Sequence, residues 1–233
     1  MAVEIALERA RVRYGPLEAL HGVDLRVPTA RLTVLLGRNG AGRSTALQAL
    51  AGSVRLSGGR VSWHGGSTAG RDITRLDAYR RARLGLALVP SERAVFPSLT
   101  VAEHLSRLTG PARESALDLF PELRPRLDRR AGTLSGGEQQ MVALAPALAG
   151  PARLLLLDEF GRGLAAPVTA RVRAALAVAV AAGRTVLLAE QALPPDLPVD
   201  LVYLLHRGSV AFVGEPGEPA LRDGPGPGGP PER

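Results

Sequence analysis

Residues 37–45 read GRNGAGRST, which meets the phosphate-loop pattern G-x-x-x-x-G-K-[ST] at Gly37, Gly42 and Ser44 and departs from it at Arg43. Glycines at 37, 40 and 42 let the backbone curl so that successive N–H groups point inward at a phosphate chain. A helix starting at the end of the loop adds the positive end of its dipole. On this pattern Ser44 offers a hydroxyl to Mg²⁺. An ordinary glycine turn between strand and helix is the competing reading of this loop taken alone.

Two further stretches could do chemistry. RLLLLDE (153–159) delivers Asp158 and Glu159 to the end of an apolar run. In a parallel sheet that end of a strand is where ligands bind. There Asp158 would reach Mg²⁺ and Glu159 would polarise an attacking water. LSGGEQQM (134–141) places Gly136 and Gly137 after Ser135 at a helix start, a second anion cradle. The same residues also make a capping box, Ser135 with Glu138, and the two readings are compatible.

These residues need strands and helices to hold them. RLTVLLG (31–37) predicts a buried strand running into the glycine loop, and Ala46, Leu47, Ala49 and Leu50 follow at helical spacing with Gly52 as the stop. Residues 3–14 and 22–27 alternate as half-exposed strands, and 57–73 suggest short strands and turns. The segment 100–131 reads as helical, interrupted at 110–111, Pro121 and Pro125. A helix is expected over 169–183, then a buried strand at 185–190 and two last strands, LVYLL and SVAFVGE. The ending RDGPGPGGPPER reads as a disordered tail over 223–233.

Composition narrows the classes. The 233 residues are 45% apolar, enough for one α/β domain with a sizeable core. No run approaches the ~18 apolar residues of a membrane span, and the N-terminus lacks the features of a secretory signal. With no cysteine there are no disulfides or thiolate metal sites, and a cytoplasmic location is the expectation. The net charge of +7 raises nucleic acid or a membrane surface as partners. Every basic residue is arginine, however, which fits a GC-rich coding sequence without any basic binding face.

Glycine loop, then LSGGEQQ, then LLLLDE, in that order, resemble the nucleotide-binding subunit of an ATP-binding cassette (ABC) transporter. The stretches 89–105, 130–141 and LLLLDEFGRGLAAP (154–167) are similar to one subgroup, the second ATPase subunits of branched-chain amino acid and urea importers. The similarity spans about residues 3–215. It implies an ABC-type P-loop α/β fold over 1–222, with a mainly parallel core sheet, a small antiparallel β subdomain and a helical subdomain near 92–145.

It also implies ATP and Mg²⁺ as cofactors, with Ser44 and Asp158 on the metal, and Glu159 and Gln191 as catalytic residues. Arg38, Asn39, Ala41 and Thr45 would complete the loop's wrap around the phosphates. Tyr14 would stack on adenine, although a plain strand-end tyrosine explains it as well. Leu134, Ser135, Gly136, Gly137, Glu138 and Gln139 would close over ATP held by a partner ATPase subunit. Membrane permease subunits complete the partners and place the chain on the inner face of the cell membrane. With one cassette and no long basic linker, nucleic acid is not expected.

Five departures from the family pattern stand out. Arg43 replaces the loop lysine, and a planar guanidinium is larger than an ammonium and has a fixed fork. Ser91 fills a place usually held by Gln or Glu, with Glu92 one position on; Phe160 and Gly161 replace a proline and a serine. Pro146 falls inside the helix after the signature, where about 3 kcal/mol or a kink is expected. The helical segment between Leu105 and Phe120 is short for the subgroup. A slowed ATPase, a weak-sited partner in an asymmetric heterodimer and a decaying copy all fit these changes, and the heterodimer is favoured.

Overall fold

A computed structural model of the protein describes residues 2–67, 69–92 and 94–218. The expected tail at 223–233 lies outside the described residues.

Three short runs make the centre of the molecule: β3 (Leu32–Leu36), β7 (Leu154–Asp158) and β8 (Thr185–Glu190). Every residue of β3 and β7 is buried, as expected of strands covered on both faces. With β6 (Leu86–Val89), β9 (Leu201–His206) and β10 (Ser209–Gly214) they form a six-stranded sheet in the order β10-β9-β3-β8-β7-β6. All pairings are parallel except β10 with β9. The two-residue period of the strands sorts their side chains into two cores. Val34, Leu155, Leu157 and Leu188 face one; Leu35, Leu154, Leu156 and Leu187 face the other.

The second core is closed by α1 (Arg43–Ala51) and by an antiparallel sheet, β2-β1-β4-β5. Its strands are β1 (Val3–Tyr14), β2 (Leu17–Pro28), β4 (Gly58–Trp63) and β5 (Arg71–Asp72). Below it lies α2 (Ala78–Arg83), whose Arg81 is fully buried. Arg81 donates to the carbonyls of Ala49 and Leu50, both at 2.7 Å, and so ties down the end of α1. The first core is covered by α3 (Val101–His104), α4 (Pro111–Leu119), α5 (Gly136–Ala149) and α6 (Ala166–Ala181).

The expected helical stretch 100–131 is only partly α-helical. Pro121 and Pro125 turn Pro121–Arg126 into a 3-10 helix, and Ala131–Thr133 is a second one. The last long helix starts at Ala166 and not at 169, because proline is tolerated in a first turn and Pro167 falls there. Pro146 neither breaks α5 nor ends it. It lies in the last turn, where Gly150 N–H still donates to its carbonyl at 3.0 Å. Arg184 then donates to the carbonyls of Leu148 (2.6 Å), Ala147 (2.6 Å) and Ala152 (2.7 Å), satisfying the helix end. No helix among the described residues is long and apolar enough to cross a membrane.

Candidate functional site

The ends of β3, β7 and β8 converge on one open cleft of about 890 Å³. The glycine loop leaves β3 at Gly37, where a Cβ would come within 2.7 Å of the Leu205 carbonyl, so no larger residue fits. Gly40 (φ +80°) and Gly42 (φ +102°) both take the left-handed backbone that glycine alone adopts freely. Gly42 stands at the start of α1, and that start has no side-chain cap and no acidic residue in its first turn. Its first N–H groups are therefore free for an anion. Asn39, Gly40, Ala41, Gly42, Arg43, Ser44 and Thr45 line the cleft. Gly37 and Arg38 do not; Arg38 lines an adjoining hollow with His206 and Arg207.

Arg43 is 6% exposed, with its guanidinium turned into the site. Its Nη2 donates to Glu159 Oε1 at 2.7 Å and lies 3.4 Å from Asn39 Oδ1. Its Nη1 is buried and has no partner among the described residues. Glu159 follows the last residue of β7 in a strained backbone conformation (φ +45°), fixed by its N–H to the Ala189 carbonyl at 3.0 Å. Gln191 Nε2 donates to the same oxygen, Oε1, at 3.0 Å. That hydrogen bond first, and then the Arg43 contact, hold the Glu159 carboxyl below its ordinary range despite its partial burial.

Asp158 is 4% exposed and sits behind the cleft wall, outside the lining residues. Its Oδ2 accepts from Ser91 Oγ at 3.1 Å, and its Oδ1 is buried without a partner among the described residues. An unpartnered carboxylate oxygen behind the cleft-lining Ser91 suits a hard cation, and Ser44 presents a hydroxyl to that cleft. The two orphans carry opposite charge, Arg43 Nη1 wanting an acceptor and Asp158 Oδ1 a cation. A phosphate would satisfy the first and a divalent cation the second.

Tyr14 ends β1 at the mouth of the cleft and is 45% exposed. Its hydroxyl lies 3.5 Å from Thr45 Oγ1 and 3.4 Å from Gln48 Oε1, which rests the ring against α1. Gln191 lines the cleft beside Glu159. The signature residues do not. Ser135 caps α5, accepting from Glu138 N–H at 3.2 Å, while Glu138 accepts from Ser135 N–H at 2.9 Å. Gln139 turns to the Leu134 carbonyl at 3.1 Å. None of Leu134, Ser135, Gly136, Gly137, Glu138 and Gln139 lines the cleft of its own chain.

Some lining residues were not expected from the sequence. Glu190 ends β8, and burial, then the Glu159 charge, push its carboxyl up to about 7. Arg173 projects from α6 with its Nε buried and unpartnered. Ser91 matters through Asp158, a contact made between two strand ends 67 positions apart. The only signal for Glu190 was its place beside Gln191; Arg173 gave none.

A family profile described as "ABC transporter" matches residues 20–161. The high-affinity branched-chain amino acid transport ATP-binding protein BraG of Pseudomonas aeruginosa is 35% identical over 217 residues, covering 89% of this chain and 91% of that protein. The probable branched-chain amino acid transport ATP-binding protein LivF of Archaeoglobus fulgidus is 38% identical over 216 residues, covering 88% and 89%. Two solved structures share the fold at 24% identity. One is the ADP conformation of an ATP-binding cassette of an ABC transporter (TM-score 0.73; 92% of this chain, 91% of that one). The other is a bacterial Atm1-family ABC exporter with ATP bound (TM-score 0.80; 96% and 40%). With the profile over most of its length and relatives above 30% identity along it, the chain belongs to the ABC transporter family, as an ATPase cassette of the P-loop type.

Proposed function

We propose that the chain is the ATP-binding and hydrolysing subunit of an importer for branched-chain amino acids, urea or a related small polar solute. The substrate class rests on the names of BraG and LivF, similar over nearly the whole chain. The reading of the site rests on one observation: an uncapped helix start, a buried guanidinium with one unpartnered nitrogen and a buried carboxylate oxygen with no partner among the described residues all lie at the ends of three parallel strands.

In this reading the loop from Gly37 to Thr45 wraps the phosphates and Tyr14 offers its ring to the adenine. Ser44 and Asp158 would hold Mg²⁺, which when bound would offset the negative charge of the phosphates. Glu159 orients the attacking water and Gln191 fixes the carboxylate that does so. The signature, Leu134 to Gln139, lies outside its own cleft and acts on ATP held by a second ATPase subunit, within a helical subdomain near 92–145. ATP closes the pair, hydrolysis reopens it, and permease subunits carry the motion across the membrane from its cytoplasmic face.

Arg43 weakens the chain's own site. Misplacement inside a close-fitting site costs orders of magnitude in rate even when charge is kept. A second reading, a nucleotide-binding but non-hydrolysing partner in an asymmetric heterodimer, is favoured by the Arg43–Glu159 contact at 2.7 Å, which occupies the water-polarising carboxylate. Steady-state ATP hydrolysis by the assembled dimer, with Arg43→Lys beside the wild type, decides between them. A rise of about tenfold or more on substitution supports the weakened site. Equal, normal rates contradict it, and no hydrolysis by either form supports the binding-only partner.

A further inference from the structure

We infer that Arg43 is a specificity-determining residue that tells nucleoside triphosphates from diphosphates by exchanging one partner of its guanidinium. The inference rests on the nucleotide-site reading above. The Arg43 guanidinium is divided between two tasks. Nη2 is committed to Glu159 Oε1 at 2.7 Å, with both side chains nearly buried (6% and 16% exposed). Nη1 is buried in the same site with nothing to bond among the described residues. A buried, unpartnered guanidinium nitrogen is costly, so it marks a place made for an acceptor that arrives with the ligand.

The cation of a phosphate loop serves the β and γ phosphates. A lysine ammonium is a point charge that swivels among acceptors, whereas the guanidinium fork is planar and fixed. Satisfying Nη1 with a β-phosphate oxygen leaves Nη2 on Glu159, so a diphosphate enters without breaking the ion pair. A triphosphate brings a second acceptor into the region of the fork, beside an acid that carries like charge. The γ-phosphate must then take Nη2 from Glu159. Glu159 is kept near its position by Gln191 Nε2 at 3.0 Å, and Arg162 Nη1 stands 4.0 Å from its other oxygen. The released carboxylate oxygen is then open to a water. Breaking the pair lowers triphosphate affinity, and the same event frees the group that polarises the water. No bond forms or breaks covalently in this exchange.

Calorimetric titration of the full chain with Mg·ADP and with a Mg-bound non-hydrolysable ATP analogue tests this, using the wild type, Glu159→Gln, Arg43→Lys and the double variant. Removing the Glu159 charge while Arg43 is kept is expected to tighten the triphosphate analogue about tenfold and to change ADP by less than about threefold. In the Arg43→Lys background the same substitution is expected to shift the analogue by less than about threefold. Two results overturn the inference. One is equal tightening of both nucleotides by Glu159→Gln with Arg43 kept, which stands even should the Arg43→Lys forms fail to fold. The other is the same gain for the analogue in both backgrounds. Absence of binding of either nucleotide to all four proteins sinks the nucleotide site itself, and the inference with it.

Discussion

At the scale of single residues the site is a cluster of charges held in unequal states. Glu159 is kept ionised by Gln191 and Arg43, while Glu190, one strand away, is pushed up to about 7 by burial and by the Glu159 charge. An acid whose folded-state value is raised favours the protonated form on folding. Its contribution is therefore full below the ordinary 4.5 and is lost as the pH rises through about 7. Glu190→Gln is expected to remove this dependence. Denaturant unfolding should show the variant gaining up to about 3 kcal/mol on the wild type at pH 8 and little at pH 4.5. A constant difference across that range would contradict the assignment. Much of the cluster was legible beforehand, because glycine spacing and terminal acids have few other uses in this order. Ser91 on Asp158 and Arg173 in the cleft were not, since they depend on which way a side chain turns after distant elements have packed.

At the scale of elements, the α5 end shows how a local liability is absorbed by a distant side chain. Pro146 cannot donate to the carbonyl one turn back, and a helix end leaves its last carbonyls unpaired. Arg184, the residue before β8, meets the carbonyls of Ala147, Leu148 and Ala152 with three nitrogens of one guanidinium. Arg184→Ala should cost about 2–4 kcal/mol by denaturant unfolding, since charged hydrogen bonds are worth more than neutral ones and their loss leaves acceptors buried. A loss under about 0.5 kcal/mol would show that water replaces the guanidinium there. The expected cost or kink at Pro146 was read from residue spacing, which cannot show that a side chain 38 positions on closes the helix end. The buried strands β3, β7 and β8 were legible because short apolar runs bounded by glycine or acid leave little else to build. The segment 100–131 was less so, because closely spaced prolines convert helix into 3-10 turns that share its apolar spacing.

At the scale of the whole molecule, two cores on either face of a parallel sheet set the glycine loop, Asp158 and Glu159 at one edge and leave the signature elsewhere on the surface. Ser135 and Gly136 are exposed, and the capping box holds their helix start rigid without any ligand from the same chain. The exposed position is compatible with the proposal that a second ATPase subunit completes the site, a reading that comes from the resemblance carried by the order of motifs. The change at Arg43 was visible too, but not its pairing with Glu159, which joins positions 116 residues apart.

All of this depends on the edge of the sheet being a place for a triphosphate and its cation. Titration of the purified chain with Mg·ATP in a calorimeter, alone and mixed with its cognate ATPase subunit, tests that most directly. Saturable binding that weakens when Mg²⁺ is chelated is the result predicted. No detectable heat of binding at millimolar Mg·ATP, with the chain folded in both mixtures, would contradict it.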